Sequence, residues 1–161
     1  MVRFVELVKP GGWIFLEDID QKMLGSPGPG IKKFYDIYNG YMALRDVHPT
    51  VGSLFKPTLE ESGKFSEVHA QMVSPKFTGG NDGMSNPVVV DRLALTDLPD
   101  PTLDHLGEVM KTSFMRASKS FDPKLVAYGM TNEVREAWHQ ELEDSERSIH
   151  VDLHFIWGRK L

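Results

Sequence analysis

The stretch VKPGGWIFLEDID, residues 8–20, sets the interpretation of the whole chain. Residues 10–12, Pro-Gly-Gly, end the short apolar segment before them, because proline disfavours helix at the preceding residue and glycine adopts turn conformations. The continuous apolar run over residues 13–16 predicts a strand buried on both faces, as in a parallel sheet. The acidic residues that follow would lie at the carboxyl end of that strand, where open α/β sheets bind ligands.

The remainder of the sequence alternates between helical and extended patterns. Apolar residues at helical spacing predict four helices, over residues 31–45, 50–62, 103–119 and 131–146. Strict alternation predicts two further strands, over residues 65–73 and 149–158. The first of these two strands would place Phe65, Glu67, His69 and Gln71 on one side. A glycine-rich segment, residues 78–83, is predicted to be a loop, and the whole chain, residues 1–161, is expected to form a single α/β domain.

Composition excludes several classes of protein. The 161 residues carry a net charge of −5 and no long basic block, so there is no footprint for nucleic acid or an anionic membrane. The chain has no cysteine, which excludes disulfides, thiolate catalysis and cysteine-ligated metals. No apolar stretch approaches the roughly 20 residues that span a bilayer, and the amino-terminal run is too short for a signal peptide. We expect a soluble, cytoplasmic protein.

Three segments in collinear order resemble the C-terminal half of class I S-adenosylmethionine-dependent methyltransferases, in particular the small-molecule enzymes of fungal secondary metabolism. LVKPGGWIFLED, residues 7–18, is similar to the helix, turn and fifth strand of that family. LEESGKFSEVH, residues 59–69, is similar to the passage into its sixth strand, and HFIWGRK, residues 154–160, to its final strand. The resemblance implies a truncated Rossmann-like fold with about three strands and several helices, completed by dimerisation.

The resemblance also implies what this sequence lacks. In that family the cofactor binds a glycine-rich turn and an acidic residue that lie well upstream of the Pro-Gly-Gly turn. No G-x-G-x-x-G motif occurs here. The segment 25–30 follows a predicted strand, but Pro27 and Pro29 cannot donate amide hydrogen bonds. We therefore expect these 161 residues alone not to bind S-adenosylmethionine in the manner of the family, and we predict no other cofactor.

A strand without its upstream neighbour would leave apolar side chains exposed. Leaving Trp13 or Phe15 uncovered would cost roughly 1.5–3 kcal/mol each. A second, identical chain is the simplest cover, through two-fold symmetry. We predict a homodimer whose interface involves residues 2–16 or the helix 31–45.

Candidate site residues fall into two groups. Polar side chains that could polarise a substrate or donate a hydrogen bond to its carbonyl are the candidate catalytic residues: Asp18, Tyr38, Tyr41, Arg45, His48 and His69. Side chains that could hold a bulky apolar substrate are the candidate binding residues: Glu17, Phe34, Gln71, Met110, Phe114 and Trp138. A structural role is the alternative for each group, as a solvated acidic cluster, a core aromatic stripe, a salt bridge or a half-buried histidine. We predict no metal site, because His150 and His154 would lie about 13 Å apart on one strand.

Three functions are compatible with these features. The first is a cofactor-free cyclase or isomerase of the pericyclic, Diels–Alder type, which would hold a bulky apolar secondary metabolite in an enclosed pocket and hydrogen-bond to it. The second is an S-adenosylmethionine-dependent methyltransferase subunit that needs a second chain. The third is a non-catalytic dimerisation module, which would have no enclosed apolar pocket.

Overall fold

A computed structural model describes residues 2–77, 100–120 and 123–161, so the loop predicted at 78–83 lies outside the described residues. The described helices are α1 (Val2–Leu7), α2 (Pro29–Ala43), α3 (Val51–Glu61), α4 (Asp100–Ala117), α5 (Pro123–Ala127) and α6 (Asn132–Glu143). The described strands are β1 (Trp13–Ile19), β2 (Leu24–Gly25), β3 (Phe65–Val73), β4 (Ile149–His150) and β5 (Leu153–Lys160). One short 3-10 turn, Ser118–Ser120, follows α4. The mixed α/β class predicted from the sequence is confirmed.

The final strand holds the main sheet together. Its order is β1-β5-β3, and β5 is antiparallel to both neighbours. The Lys160 amide donates to the Gly12 carbonyl, while the Leu161 amide donates to the Lys64 carbonyl, both at 2.9 Å. Successive residues of β5 therefore point their backbone groups alternately toward β1 and β3, as expected for a central strand.

One face of this sheet is covered by α1 and α3. Its apolar cluster is formed by the buried residues Val5, Ile14, Leu59 and Ile156. Leu59 and Ile156 are almost completely buried. Because side chains alternate along a strand, the even-numbered residues of β1 face this cluster and the odd-numbered ones face away.

The prediction that β1 is buried on both faces is wrong for the described residues. Trp13 and Phe15 are 54% and 61% exposed, whereas Ile14 between them is buried. Among the described residues, β1 pairs with β5 alone, and the helices that pack on the sheet lie on the side of Ile14. An unbroken apolar run is ambiguous, since only the surrounding elements decide whether its second face is covered.

Two strand predictions need correction in detail. The boundaries of β3 were predicted as observed, but a register shift between Phe65 and Glu67 makes a β-bulge. The extra residue turns Phe65 to the face of Val68 and Ala70, instead of leaving it beside Glu67. The strand predicted over 149–158 is two strands, because β4 pairs with β2 and only β5 enters the main sheet.

The larger core lies between α2, α5 and α6. The ring of Phe34 stacks on Trp138 with centroids 4.2 Å apart and an interplanar angle of 10°. Ile31, Leu142 and Trp138 are fully buried in this cluster. Burial also raises the pKa of Tyr35, which lies on the same helix as Phe34.

A carboxylate from α6 fixes the start of α2. The Gly30 and Ile31 amides donate to Glu141 Oε1 and Oε2, each at 2.8 Å. The first turn of a helix has amides without intrahelical partners, and here a side chain more than 100 positions away accepts from two of them. The helix therefore starts at Pro29, two residues before the predicted start.

We expect Glu141→Ala to lower the free energy of unfolding by about 1–3 kcal/mol, because both amides lose their acceptor. Urea unfolding at pH 7 measures this change. The control is Glu143→Ala, on the same helix but exposed to solvent. Equal effects of the two substitutions would contradict the capping role of Glu141.

Candidate functional site

The acidic end of β1 separates onto two faces of the sheet. Glu17 lies directly across from Phe155, and Asp18 from His154. Glu17 therefore faces the uncovered side, whereas Asp18 faces α3. The sequence places these two carboxylates next to each other, but the strand geometry prevents them from acting on one substrate group from the same side.

The uncovered side carries four aromatic rings, which we call the aromatic face: Trp13, Phe15, Phe155 and Trp157. Cross-strand pairing aligns these rings in rows, because Phe15 lies opposite Trp157 and Trp157 lies opposite His69. The His69 ring stacks on Trp157 with centroids 5.5 Å apart, and its Nε2 lies 3.4 Å from Glu67 Oε2.

Three of the predicted site residues lie on this face: Glu17, His69 and Gln71. Gln71 pairs with Phe155, which also pairs with Glu17, so these three side chains form one row. His69 lies in the next row of the same face. Apolar rings beside a carboxylate, an imidazole and an amide make a surface that can hold an apolar molecule and contact its polar groups.

The opposite side holds a histidine–carboxylate pair that the sequence analysis did not select. His154 Nε2 lies 3.5 Å from Asp20 Oδ2, and the two side chains are only 14% and 15% exposed. Asp20 Oδ1 accepts from the Ser53 amide at 3.2 Å, in the first turn of α3. Asp20 therefore joins the end of β1 to the start of α3. The sequence signal was an acidic residue two positions after Asp18, but the pairing with His154 depends on strand register.

The predicted aromatic helix is part of the larger core. Phe34 and Tyr41 are buried, and Tyr41 packs edge-on against Tyr128. Arg45 Nη1 donates to the Tyr41 hydroxyl at 3.5 Å, and its guanidinium lies 5.7 Å from the Tyr41 ring centroid. Burial raises the pKa of Tyr38. Phe34 and Tyr41 therefore pack in the larger core, and a role of these residues at a substrate stays a prediction.

The other predicted binding residues also pack against this core. Trp138 is fully buried, while Met110 and Phe114 are half-buried against the same cluster. His48 lies apart from them, in the exposed loop before α3, where its Nδ1 contacts the Thr50 hydroxyl at 3.1 Å. The structure thus separates most of the predicted residues into a core group and a sheet group, with His48 outside both.

A cavity of about 240 Å³ lies where the end of α4 meets α6. It is lined by Ser118, Lys119, Asn132, Arg135, Glu136 and His139, so it differs from the enclosed apolar pocket that the cyclase hypothesis requires. Ser118 is fully buried and its hydroxyl donates to the Met115 carbonyl at 2.8 Å. Ser118 Oγ also lies 2.6 Å from His139 Nε2, and which of these two atoms donates depends on the tautomer of the imidazole.

Two further features were sought in the described part of the chain, a cluster of metal ligands and a membrane-spanning helix. Within them, no three histidine, aspartate or glutamate side chains converge as metal ligands. No helix in the described ranges has the length and hydropathy needed to cross a bilayer. The amides at the start of α2 are occupied by Glu141, so the glycine-rich turn at 25–30 does not offer that pair to a cofactor carboxylate or phosphate.

Comparison with known proteins gives two methyltransferases. The chain is 30% identical over 164 residues to Methyltransferase str2 of Strobilurus tenacellus, covering 98% of this chain and 53% of that protein. It is also 30% identical over 169 residues to Methyltransferase str3 of the same organism, covering 98% of this chain and 54% of that protein. No protein-family model matches the chain. The chain is therefore methyltransferase-like, and it spans about half the length of the curated relatives it matches. Assignment to class I and to the C-terminal half of that family stays a prediction.

The His154–Asp20 pair requires glycine at position 52. A Cβ atom there would lie 2.8 Å from His154 Cδ2, closer than side chains tolerate. We expect Gly52→Ala to displace the imidazole and to lower the free energy of unfolding by about 1–3 kcal/mol, as overpacking does. Gly40→Ala is the matched control, since a Cβ at that helical position meets no atom within 4 Å. The control should stabilise the protein by about 0.4–1 kcal/mol, and a stabilising Gly52→Ala would refute the close packing.

The pKa of His139 is lowered from 6.5, mainly by burial and further by the positive charge of Lys119. The folded state therefore favours the neutral form of the His139 ring. The free energy of unfolding is expected to fall as the pH drops from about 6.5, the pKa of histidine in the unfolded chain, toward the lower pKa of His139 in the folded chain. We expect Lys119→Met to raise the pKa of His139, measured by NMR titration of the ring protons. A midpoint that is unchanged or lower would contradict this electrostatic coupling.

Proposed function

We propose that this chain supplies the acceptor-binding side of a small-molecule methyltransferase, and that S-adenosylmethionine is held by polypeptide outside these 161 residues. The observation that carries the proposal is the pair of methyltransferase relatives, which match 98% of this chain but only 53% and 54% of their own length. This is the second function considered from the sequence, in which a further polypeptide completes the enzyme.

The aromatic face is the part of the described structure best suited to an acceptor. Its rings provide apolar contact area, and Trp13 and Phe15 are accessible to a ligand. Glu17 is exposed in the same face, beside the row that contains His69. A carboxylate or an imidazole in that position can accept the proton that an acceptor hydroxyl or amine loses during methylation.

Two places among the described residues bear on the methyl donor. The amides at the start of α2 are bonded to Glu141, and the cavity beside α6 is lined by polar and charged side chains. We therefore assign to this chain the binding and orientation of the acceptor and the acceptance of its proton, and no step at the donor.

The cofactor-free cyclase stays a prediction. It requires an enclosed apolar pocket that fixes a reactive conformer of the substrate. Among the described residues, methionine and tyrosine side chains are packed in the larger core instead, where Met23, Tyr35, Tyr41 and Met130 are buried. For this reason the methyltransferase role is the better supported of the two.

A chimeric protein tests the proposed function. In Methyltransferase str2, the segment that matches this chain is replaced by residues 1–161, and S-adenosylmethionine binding is measured by isothermal titration calorimetry. We expect binding by the chimera and none by the isolated chain, with intact Methyltransferase str2 as the positive control.

Two results would contradict the proposal. One is binding of S-adenosylmethionine by the isolated chain, which would place the donor site within these residues. The other is a chimera that is folded by circular dichroism but fails to bind, while the intact relative binds. Conversion of a linear diene by the isolated chain, without any cofactor, would favour the cyclase instead.

A further inference from the structure

The outer edge of β1 has backbone groups without partners among the described residues. Since Lys160 bonds to Gly12, the even-numbered residues of β1 point their amides and carbonyls toward β5. The odd-numbered residues Trp13, Phe15 and Glu17 therefore point theirs outward. An apolar edge strand with open hydrogen-bonding groups is a template for pairing with another strand.

Both ends of this open edge are closed by local hydrogen bonds. The outward amide of Ile19 donates to Asp18 Oδ1 at 2.8 Å. At the other end, the Gly11 amide donates to the Lys160 carbonyl, and Gly11 has a φ of 74°, which is outside the strand region. The edge available to a partner is therefore limited to residues 13–17.

We infer that, in the isolated chain, this edge pairs with the same edge of a second copy, antiparallel, with the two-fold axis at Phe15. In this register Phe15 lies opposite its own symmetry mate, and Trp13 lies opposite the second copy's Glu17. Each of the three residues with outward backbone groups then lies opposite such a residue of the second copy, so each open amide can donate to a carbonyl.

Other antiparallel registers leave a conflict. A two-fold axis at Leu16 would require a hydrogen bond from the Ile19 amide, which already donates to Asp18. An axis at Glu17 would place two like charges directly opposite each other, which destabilises a strand pair. An axis at Ile14 would pair Glu17 with Gly11, whose amide is already bonded to Lys160.

The side chains fit the same register. On the helix-covered face, Ile14 would lie opposite the second copy's Leu16, so the apolar clusters beneath the two sheets would become continuous. On the other face, the two Phe15 rings would form a cross-strand aromatic pair, a favourable contact in antiparallel sheets. The alternative interface predicted from the sequence, helix 31–45, has its aromatic side buried in its own core.

The pairing would also change the proposed acceptor surface. The two aromatic faces would join into one, because a two-fold axis perpendicular to the sheet keeps them on the same side. Glu17 of each copy would lie beside Trp13 of the other, so each copy would contribute a carboxylate to the other's site. This consequence rests on the proposed function, whereas the dimer itself does not.

An engineered disulfide tests the register directly. The chain has no cysteine, so Phe15→Cys introduces a single thiol. Directly opposite residues in an antiparallel pair have Cα atoms about 4.5–5.5 Å apart, within the range of a disulfide. We expect Phe15→Cys to form a covalent dimer under mild oxidation, seen on non-reducing gels and by mass spectrometry.

The matched control is Trp13→Cys, at the same edge and with similar exposure. Its two thiols would be four residues out of register, with Cα atoms about 13 Å apart, so no cross-link should form. Equal cross-linking of the two variants, or none in Phe15→Cys, would overturn the proposed register.

Sedimentation equilibrium tests the interface without cross-linking. Phe15→Lys places two cations opposite each other at the axis, and we expect a dimer dissociation constant raised about tenfold or more. Val126→Lys, another exposed apolar position, on α5, should leave the constant unchanged within about twofold.

A wild-type chain that remains monomeric at tens of micromolar would overturn the inference and point to a strand from a different polypeptide as the occupant of the edge. This outcome is distinguishable from failure of the proposed function, which calorimetry with S-adenosylmethionine decides independently.

Discussion

The antiparallel pairing of β5 with both β1 and β3 is the constraint on which the rest of the structure depends. It joins the beginning, the middle and the end of the chain through one set of backbone hydrogen bonds. The same pairing decides which side chains share a face, because directly opposite residues in a sheet point the same way. Both the aromatic face and the His154–Asp20 pair follow from this register. A shift of the register by one residue would move each set of side chains to the opposite face of the sheet.

Carboxylates distant in sequence fix the helices onto this sheet and onto each other. Glu141 of α6 accepts from the first amides of α2, and Asp20 at the end of β1 accepts from an amide in the first turn of α3. In both cases an acidic side chain meets the positive end of a helix dipole. Acidic residues that first suggest catalysis can therefore have a structural role, and Asp20 carries this role beside a histidine.

The sequence predicted local structure well and tertiary pairing poorly. The limits of β3 followed from the alternation of side chains along the strand, and they agree with the structure. The bulge at Phe65 and the exposed side of β1 could not be predicted, because they depend on which elements pack against these strands. Of the predicted site residues, His69 and Gln71 were expected on one face from the strand period and lie there, whereas the position of Glu17 on the same face depends on the pairing of β1 with β5. The aromatic helix could not be assigned from its sequence, since core packing and ligand binding favour the same residues at the same spacing.

The position of β5 between β1 and β3, in the stated register, can be measured by nuclear Overhauser effects between α-protons. Residues whose backbone groups point away from a neighbouring strand have their α-protons in close contact with that strand. We expect strong contacts between the α-protons of Phe15 and Trp157 and between those of Ala70 and Ile156, the first toward β1 and the second toward β3. Contacts displaced by one or more residues, or β5 contacts to only one of the two strands, would contradict the described register.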